Sequence, residues 1–448
     1  MMTPRLSALS FFRCVARWSV VILGGSLVAC AGAIPESSTP PASAPVVTLS
    51  ATTAPPARAT LVPTRSAPTR TPITMTSAIT LTFWTTEDLA PGTTPAGRVL
   101  KNQFDAFSAA NPNIHIDVVL KKPYGKGGLL DFLLTTSAVV PAQLPDFVTL
   151  DIAEVPLAAD AGILQPLDVW LPGDLRNDLF PFAFRAAHFQ NQWIALPFAT
   201  DAQHLVYNKT AFKKAPATWD DCIKQKPTLL LPLGGDDAFV LQYLALVSPG
   251  DGTLPPPTDA NTLAQILSFF KRAHDLNLLP DATINLKSVE EDWPPFAAGQ
   301  IALAQISASR YLTERDKAPN AGFAIVPTRD GKTATVTTGW AFALVTTDAP
   351  RQAAATRFMQ WLVQGERLAP WLRAAKRLPA TRTAMILAVD PPEYALFLRD
   401  LMERAAYWSP ASPRDAKIAQ AWRAAIAAVW KGNSTPEEAA RSIVAATK

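Results

Sequence analysis

Four histidines, His115, His188, His204 and His274, are the first residues to test for chemistry. None stands at metal-ligand spacing from another histidine or a cysteine. A nucleophile elbow, a Walker loop and a dinucleotide fingerprint are all missing. Gly125-Lys126-Gly127-Gly128 precedes a helical pattern, where free N–H groups favour anions, but it lacks the spacing and the Ser/Thr of a phosphate cradle. It reads as a turn. Glu290-Glu291-Asp292 supplies carboxylates that a glycosidase pairs as acid and base. As a contiguous run they read first as a solvated stretch. No catalytic residue, cofactor or metal is expected on these grounds.

The N-terminus carries address information. Arg5, Arg13 and Arg17 form a basic start, Trp18 to Ala29 an apolar run, and Cys30 follows small residues. The run is too short to span a bilayer, and the pattern is that of an export signal over residues 1–29. Leu27-Val28-Ala29-Cys30 resembles a bacterial lipobox, which implies cleavage before Cys30 and lipid on that cysteine. Residues 30–77 are nearly all Pro, Ala, Ser, Thr and Val, with Glu36, Arg58, Arg65 and Arg70 as the only charges. Such a segment cannot bury enough apolar surface to offset its ordering entropy, so a disordered stalk is expected. At about 3.1 Å per residue its reach is on the order of 140 Å.

Losing the three signal arginines lowers the formal net charge from +4 to +1, which gives no reason to expect a nucleic-acid partner. Cys14 leaves with the signal and Cys30 is the expected anchor, so Cys222 has no disulfide partner. The remaining chain is too long for one small core and suggests two lobes.

The elements that must position any site follow from periodicity. Ile79, Leu81 and Phe83 alternate with threonines as a strand; Val99, Leu100, Phe104 and Phe107 recur at helical spacing up to Asn111-Pro112-Asn113. Ile114, Ile116, Val118 and Leu120 predict a second strand, a helix starts at Leu129, and Phe147 to Asp151 reads as a buried third strand. This order is the signature of a doubly wound parallel sheet in an α/β fold. Further on, Thr258 or Asp259 can cap a helix carrying Leu263, Ile266, Leu267 and Phe270. Ile418, Trp422 and Val429 share a helical face that ends at Gly432, and Thr435 caps the last helix.

Together these segments resemble the family 1 extracellular solute-binding proteins of bacterial ABC importers, the maltose-binding-protein-like group. The resemblance rests on Ile79 to Trp84, Phe104 to Val118, Leu144-Pro145-Asp146-Phe147, Gly162 to Leu167, and Ile194-Ala195-Leu196-Pro197-Phe198 through Tyr207-Asn208-Lys209. Thr218-Trp219-Asp220-Asp221, Phe296 to Ala302, Thr338-Gly339-Trp340-Ala341 and Gly432 to Ala439 complete it. It implies two α/β lobes of the periplasmic-binding-protein type, joined by crossing strands, with a solute cleft between them that closes by hinge bending. The lobes are expected at residues 78–197 with 337–385 and 198–336 with 386–448. It further implies an extracytoplasmic, lipid-anchored monomer that hands a sugar or oligosaccharide to the transmembrane subunits of an ABC permease. A stalked surface glycosidase and a sensor that reports solute to a membrane receptor are the rival readings.

A sugar offers hydroxyls at its edge and C–H faces above and below, so its pocket needs flat rings beside carboxylates and amides. Trp84 follows the first strand and Trp340 stands at a crossing, where Gly339 permits close backbone approach. Asp151 ends a strand, and Asp201 follows the crossing at Pro197-Phe198. Tyr124, Phe198, Trp293, Gln305 and Arg377 complete the expected ligand-binding set. If Lys126 faced the cleft, an anionic solute such as a sugar phosphate would be accommodated.

Overall fold

A computed structural model describes residues 77–248, 252–407 and 413–447. The expected export signal, Cys30 and the expected stalk up to residue 76 lie outside the described residues. All described residues belong to one compact unit, Arg70–Lys448, and no described helix is long and apolar enough to cross a membrane.

The alternating N-terminal segment forms β1 (Ile79–Thr85), with β2 (Ile114–Leu120) and β3 (Phe147–Asp151) parallel to it on either side. The helix Pro95–Ala110 joins the first two, capped by Thr94 and ended by Asn111, and Leu129–Val139 precedes the third. The minor hairpin β4 (His188–Phe189) and β5 (Gln192–Trp193) leads into β6 (Ala195–Asn208), a strand of 14 residues. Next come β7 (Leu229–Leu230), β8 (Leu303–Ser307), β9 (Ala321–Ala324), β10 (Thr335–Leu344), β11 (Leu378–Pro379) and β12 (Ala405–Tyr407).

The main sheet runs β2-β1-β3-β10-β6-β8-β7, with β9 and β11 also pairing β6 and β12 pairing β10. It is mixed rather than all parallel. β10 lies antiparallel to both β3 and β6. The first half of β6 pairs β10 and its second half pairs β8 and β9. One strand therefore serves two hydrophobic cores.

The first core is strongly aromatic. Phe83 stacks on Phe147 at 4.3 Å, and Phe358 meets Phe104, Phe107 and Phe147 edge-on or tilted. The second gathers Phe239, Phe270 and Trp422 with Ile418, Val429 and Ile443. Its helices start as their sequences dictate: Thr218 and Thr435 each form a capping box, with Asp221 and Glu438, and Asp259 accepts from the N–H of Asn261 and Thr262. Cys222 is buried on the helix Trp219–Gln225, and burial pushes its thiol up to about 12. His204 is sealed among Tyr311, Tyr394 and Phe397, with Nε2 2.7 Å from the Tyr394 hydroxyl. Burial pushes it down to about 4, so it is a neutral core residue.

Asp146, at the start of β3, is buried and clamps three segments. It accepts from the Thr82 N–H at 2.7 Å and forms a two-pronged pair with Arg351 on the helix Ala349–Val363. Removing one partner of such a pair strands the other. Arg351 is 37% exposed and water can take over part of its bonding, so Asp146→Ala should cost about 1–3 kcal/mol, read as a lower urea midpoint with an unchanged slope.

Candidate functional site

The carboxyl ends of β1 and β3 and the middle of β10 meet at one edge of the first core. Asp151 closes β3 opposite Trp340 of β10. Its Oδ2 accepts from the Tyr124 hydroxyl at 2.7 Å and its Oδ1 from the Ala153 N–H at 2.9 Å. The Tyr124 ring lies 5.8 Å from that of Trp340 and is 53% exposed. A half-open aromatic pair thus stands over a carboxylate held in place from two sides. Burial is the first cause of a raised Asp151 pKa, opposed by those hydrogen bonds and by the Arg377 charge. Burial and then the Asp151 charge raise Tyr124, so its hydroxyl stays a donor.

A second group lies along the crossing strand. Asp201 accepts from the N–H of Ala202 at 2.8 Å and from both the N–H and the hydroxyl of Ser309. Burial pushes it up to about 6 against those bonds. Ser309 is fixed because Ser307 caps the helix Ala308–Glu314 and donates to Glu290 at 2.6 Å. Arg310 on that helix pairs with Glu290 and Glu314. Deeper in the same strands, Gln305 donates to Gln203 at 2.7 Å and Gln203 donates to Asp237.

Arg377 unites the two groups. It follows left-handed Lys376 and immediately precedes β11, which pairs with Ala199 and Thr200 of β6. Its charge favours the ionised forms of Tyr124, Asp151 and Asp201 alike. Among the described residues its guanidinium makes no hydrogen bond or ion pair. Five donors in a fixed fork are left for something else.

The structure therefore brings together Tyr124, Asp151, Asp201, Trp340 and Arg377. Gly339 shapes the backbone beside them: a Cβ there would lie 2.8 Å from the Ala199 carbonyl oxygen. Gln305 is buried two residues from Ser307 on the same strand. Trp84 is 6% exposed, edge-on to Phe132, and the Lys121 ammonium covers its ring at 4.6 Å. Phe198 stacks on Phe342 at 4.3 Å inside the first core. Trp293 is also a core ring, its indole N–H donating to Glu314. Lys126 points outward from a turn whose flanking glycines, Gly125 and Gly127, have positive φ.

Sequence reasoning did not single out Glu154, Gln203, Asp237, Ser309 or Arg310. Glu154 stands one turn after Asp151, and its Oε2 is buried without a hydrogen-bond partner. Burial, then Asp151, pushes it up to about 7. The only local signal was an acid three residues past a strand-ending acid. Ser309 follows a strand-to-helix turn, a place where hydroxyls usually cap, so nothing marked it.

Residues 90–364 match the family of bacterial extracellular solute-binding proteins. The chain belongs to that family. Among curated relatives, the maltotriose-binding protein of Pyrococcus abyssi is 28% identical over 125 residues, which is 28% of this chain and 26% of that protein. The match thus spans about a quarter of the relative. Solved structures extend the likeness of this solute-binding fold to nearly the whole described body. The cyclic α-maltosyl-1,6-maltose binding protein of Arthrobacter globiformis has a TM-score of 0.67 at 18% identity, over 83% of this chain and 98% of that one. The Thermus thermophilus maltotriose binding protein has a TM-score of 0.57 at 19% identity, over 82% and 98%. At such identity the structures speak for the fold alone.

Proposed function

We propose that this solute-binding protein is the carbohydrate receptor of an ABC importer. Its solute lies between the Tyr124–Asp151–Trp340 group and the Asp201–Ser309 group, with Arg377 reaching both. The observation that carries the reading is this chemistry: two adjoining rings, oriented carboxylates and an unengaged guanidinium within one electrostatic neighbourhood. Rings meet the C–H faces of a sugar, while carboxylates and guanidinium take its hydroxyls. The maltotriose-binding relative and the maltosyl-binding neighbour favour a glucose oligosaccharide.

In this reading the lobes are residues 78–197 with 337–385 and 198–336 with 386–448. β6 and β10 bend as the hinge, and closure is limited by the difference in solute affinity between open and closed forms. Lipid on Cys30 holds the protein at the outer face of the membrane, and the closed form is what the permease engages. Its role is binding, with no bond made or broken.

Thermal unfolding against maltose, maltotriose, longer maltodextrins, mannotriose and sugar phosphates tests the assignment. One ligand should raise the midpoint, with about 2.7 kcal/mol of stabilisation at a hundredfold excess over its Kd. That ligand should be recovered intact. A flat response across the panel would remove the carbohydrate assignment, and recovery of cleaved sugar would make the protein an enzyme.

A further inference from the structure

We propose that Glu154 contacts the solute directly, its buried Oε2 accepting a hydrogen bond from a solute hydroxyl. The inference rests on the carbohydrate reading above. Glu154 belongs to the turn that follows β3, with its N–H donating to the Asp151 carbonyl at 2.8 Å before the helix Val155–Asp160 begins. The turn brings its carboxylate within electrostatic reach of both Asp151 and Tyr124. Oε2 is out of solvent and has no partner among the described residues. Buried carboxylate oxygens are rarely left so, since each keeps its full desolvation penalty.

The neighbouring groups explain why no side chain fills the vacancy. Tyr124, on the loop before the helix Leu129–Val139, has already given its only hydroxyl proton to Asp151. Asp131 of that helix is engaged by the Gly127 N–H. Asp160, at the far end of Glu154's own helix, is exposed. Arg377 acts on Asp151 and Tyr124 through space without bonding either. The remaining donor is one that arrives between the two groups of the site.

The protonation state gives this contact a signature. With its value near 7, Glu154 carries a proton for much of the time in the empty protein at neutral pH. A hydroxyl donor binds the carboxylate more strongly than the neutral acid. Solute and proton then compete, and binding expels a proton. The sign follows: affinity is lowest in acid, rises as pH climbs through about 7, and levels off above it.

Calorimetry of the mature protein with maltotriose from pH 5.5 to 8.5, in buffers of differing ionisation enthalpy, reads this directly. Affinity should rise about tenfold across the range with a fractional proton released near pH 6.5. Glu154→Gln should flatten that rise, and the unliganded protein should still unfold in a single cooperative transition, with a midpoint that varies less with pH than in the wild type. Asp201, pushed up to about 6, accounts for any lower-pH remainder, and that remainder should survive the substitution. Carboxyl-carbon NMR of the sugar-free protein supplies the second readout, with the Glu154 signal assigned by its loss in the variant. Unchanged proton release in Glu154→Gln, or titration of Glu154 in the ordinary glutamate range, would overturn the proposal. Absence of maltotriose binding at every pH would count against the carbohydrate reading, and the NMR titration would still judge Glu154.

Discussion

Asp292→Asn should make the loss of stability that the wild-type protein suffers as pH rises from 4 to 8 shallower by up to about 1.4 kcal/mol per pH unit. Asp292 is fully buried, and neither carboxylate oxygen has a hydrogen-bond partner among the described residues. Burial first, and the neighbouring Glu291 charge second, push it up to about 8. Its folded value thus lies above the unfolded one, near 3.9. Below pH 4 both states hold the proton and the group costs nothing. Between the two values the unfolded chain releases the proton and the native state keeps it, so unfolding gains about 1.4 kcal/mol per pH unit. At pH 7 the accumulated penalty is about 4 kcal/mol. Asparagine does not titrate, although its amide brings unmet donors of its own. The decisive quantity is therefore the slope of unfolding free energy against pH, measured by urea titration for both proteins. Parallel slopes would show that Asp292 is satisfied in solution by water or an ion.

Trp340→Ala should weaken binding of the solute found by the thermal panel roughly two- to fivefold, because the exposed part of the ring offers a sugar only about 15 Å², worth under ~1 kcal/mol. The indole is only 6% exposed, so the truncation also opens a cavity beside Tyr124. That adds about 3–5 kcal/mol of destabilisation. Trp340→Phe separates the two effects: a smaller ring retains much of the packing and part of the stacking. Calorimetric Kd values should rank wild type, phenylalanine, alanine. Equal affinities in all three would take Trp340 out of the site and leave it a core residue.

How much of this was legible in the sequence depends on the range of the cause. β1 was legible because Ile79, Leu81 and Phe83 alternate, and the caps at Thr218, Asp259 and Thr435 because capping is a matter of a few residues. Asp151 and Trp340 could be placed because one ends a strand and the other stands beside a glycine that a neighbouring carbonyl requires. That β1, β2 and β3 run parallel was legible too, whereas the antiparallel intrusion of β10 between β3 and β6 was not. Phe198 shows where local reading stops. Trp340 pairs with Ala199 and Ala341 with Pro197, so Phe198 is the extra residue of a bulge, and its ring stacks in the first core. A bulge depends on both partner strands and leaves no mark in one of them. Trp293 stayed ambiguous for a similar reason, since a tryptophan at a helix start can face either way until Glu314 is seen to take its N–H. Glu154 was invisible because what distinguishes it is a partner it lacks.

The place of β10 in the sheet sets a timetable for the molecule. β3 and β6 emerge from the ribosome long before Thr335–Leu344, yet each needs that late strand as its neighbour. Until it arrives, the buried edges of both strands have no ladder to join, and contacts of such sequence separation form slowly.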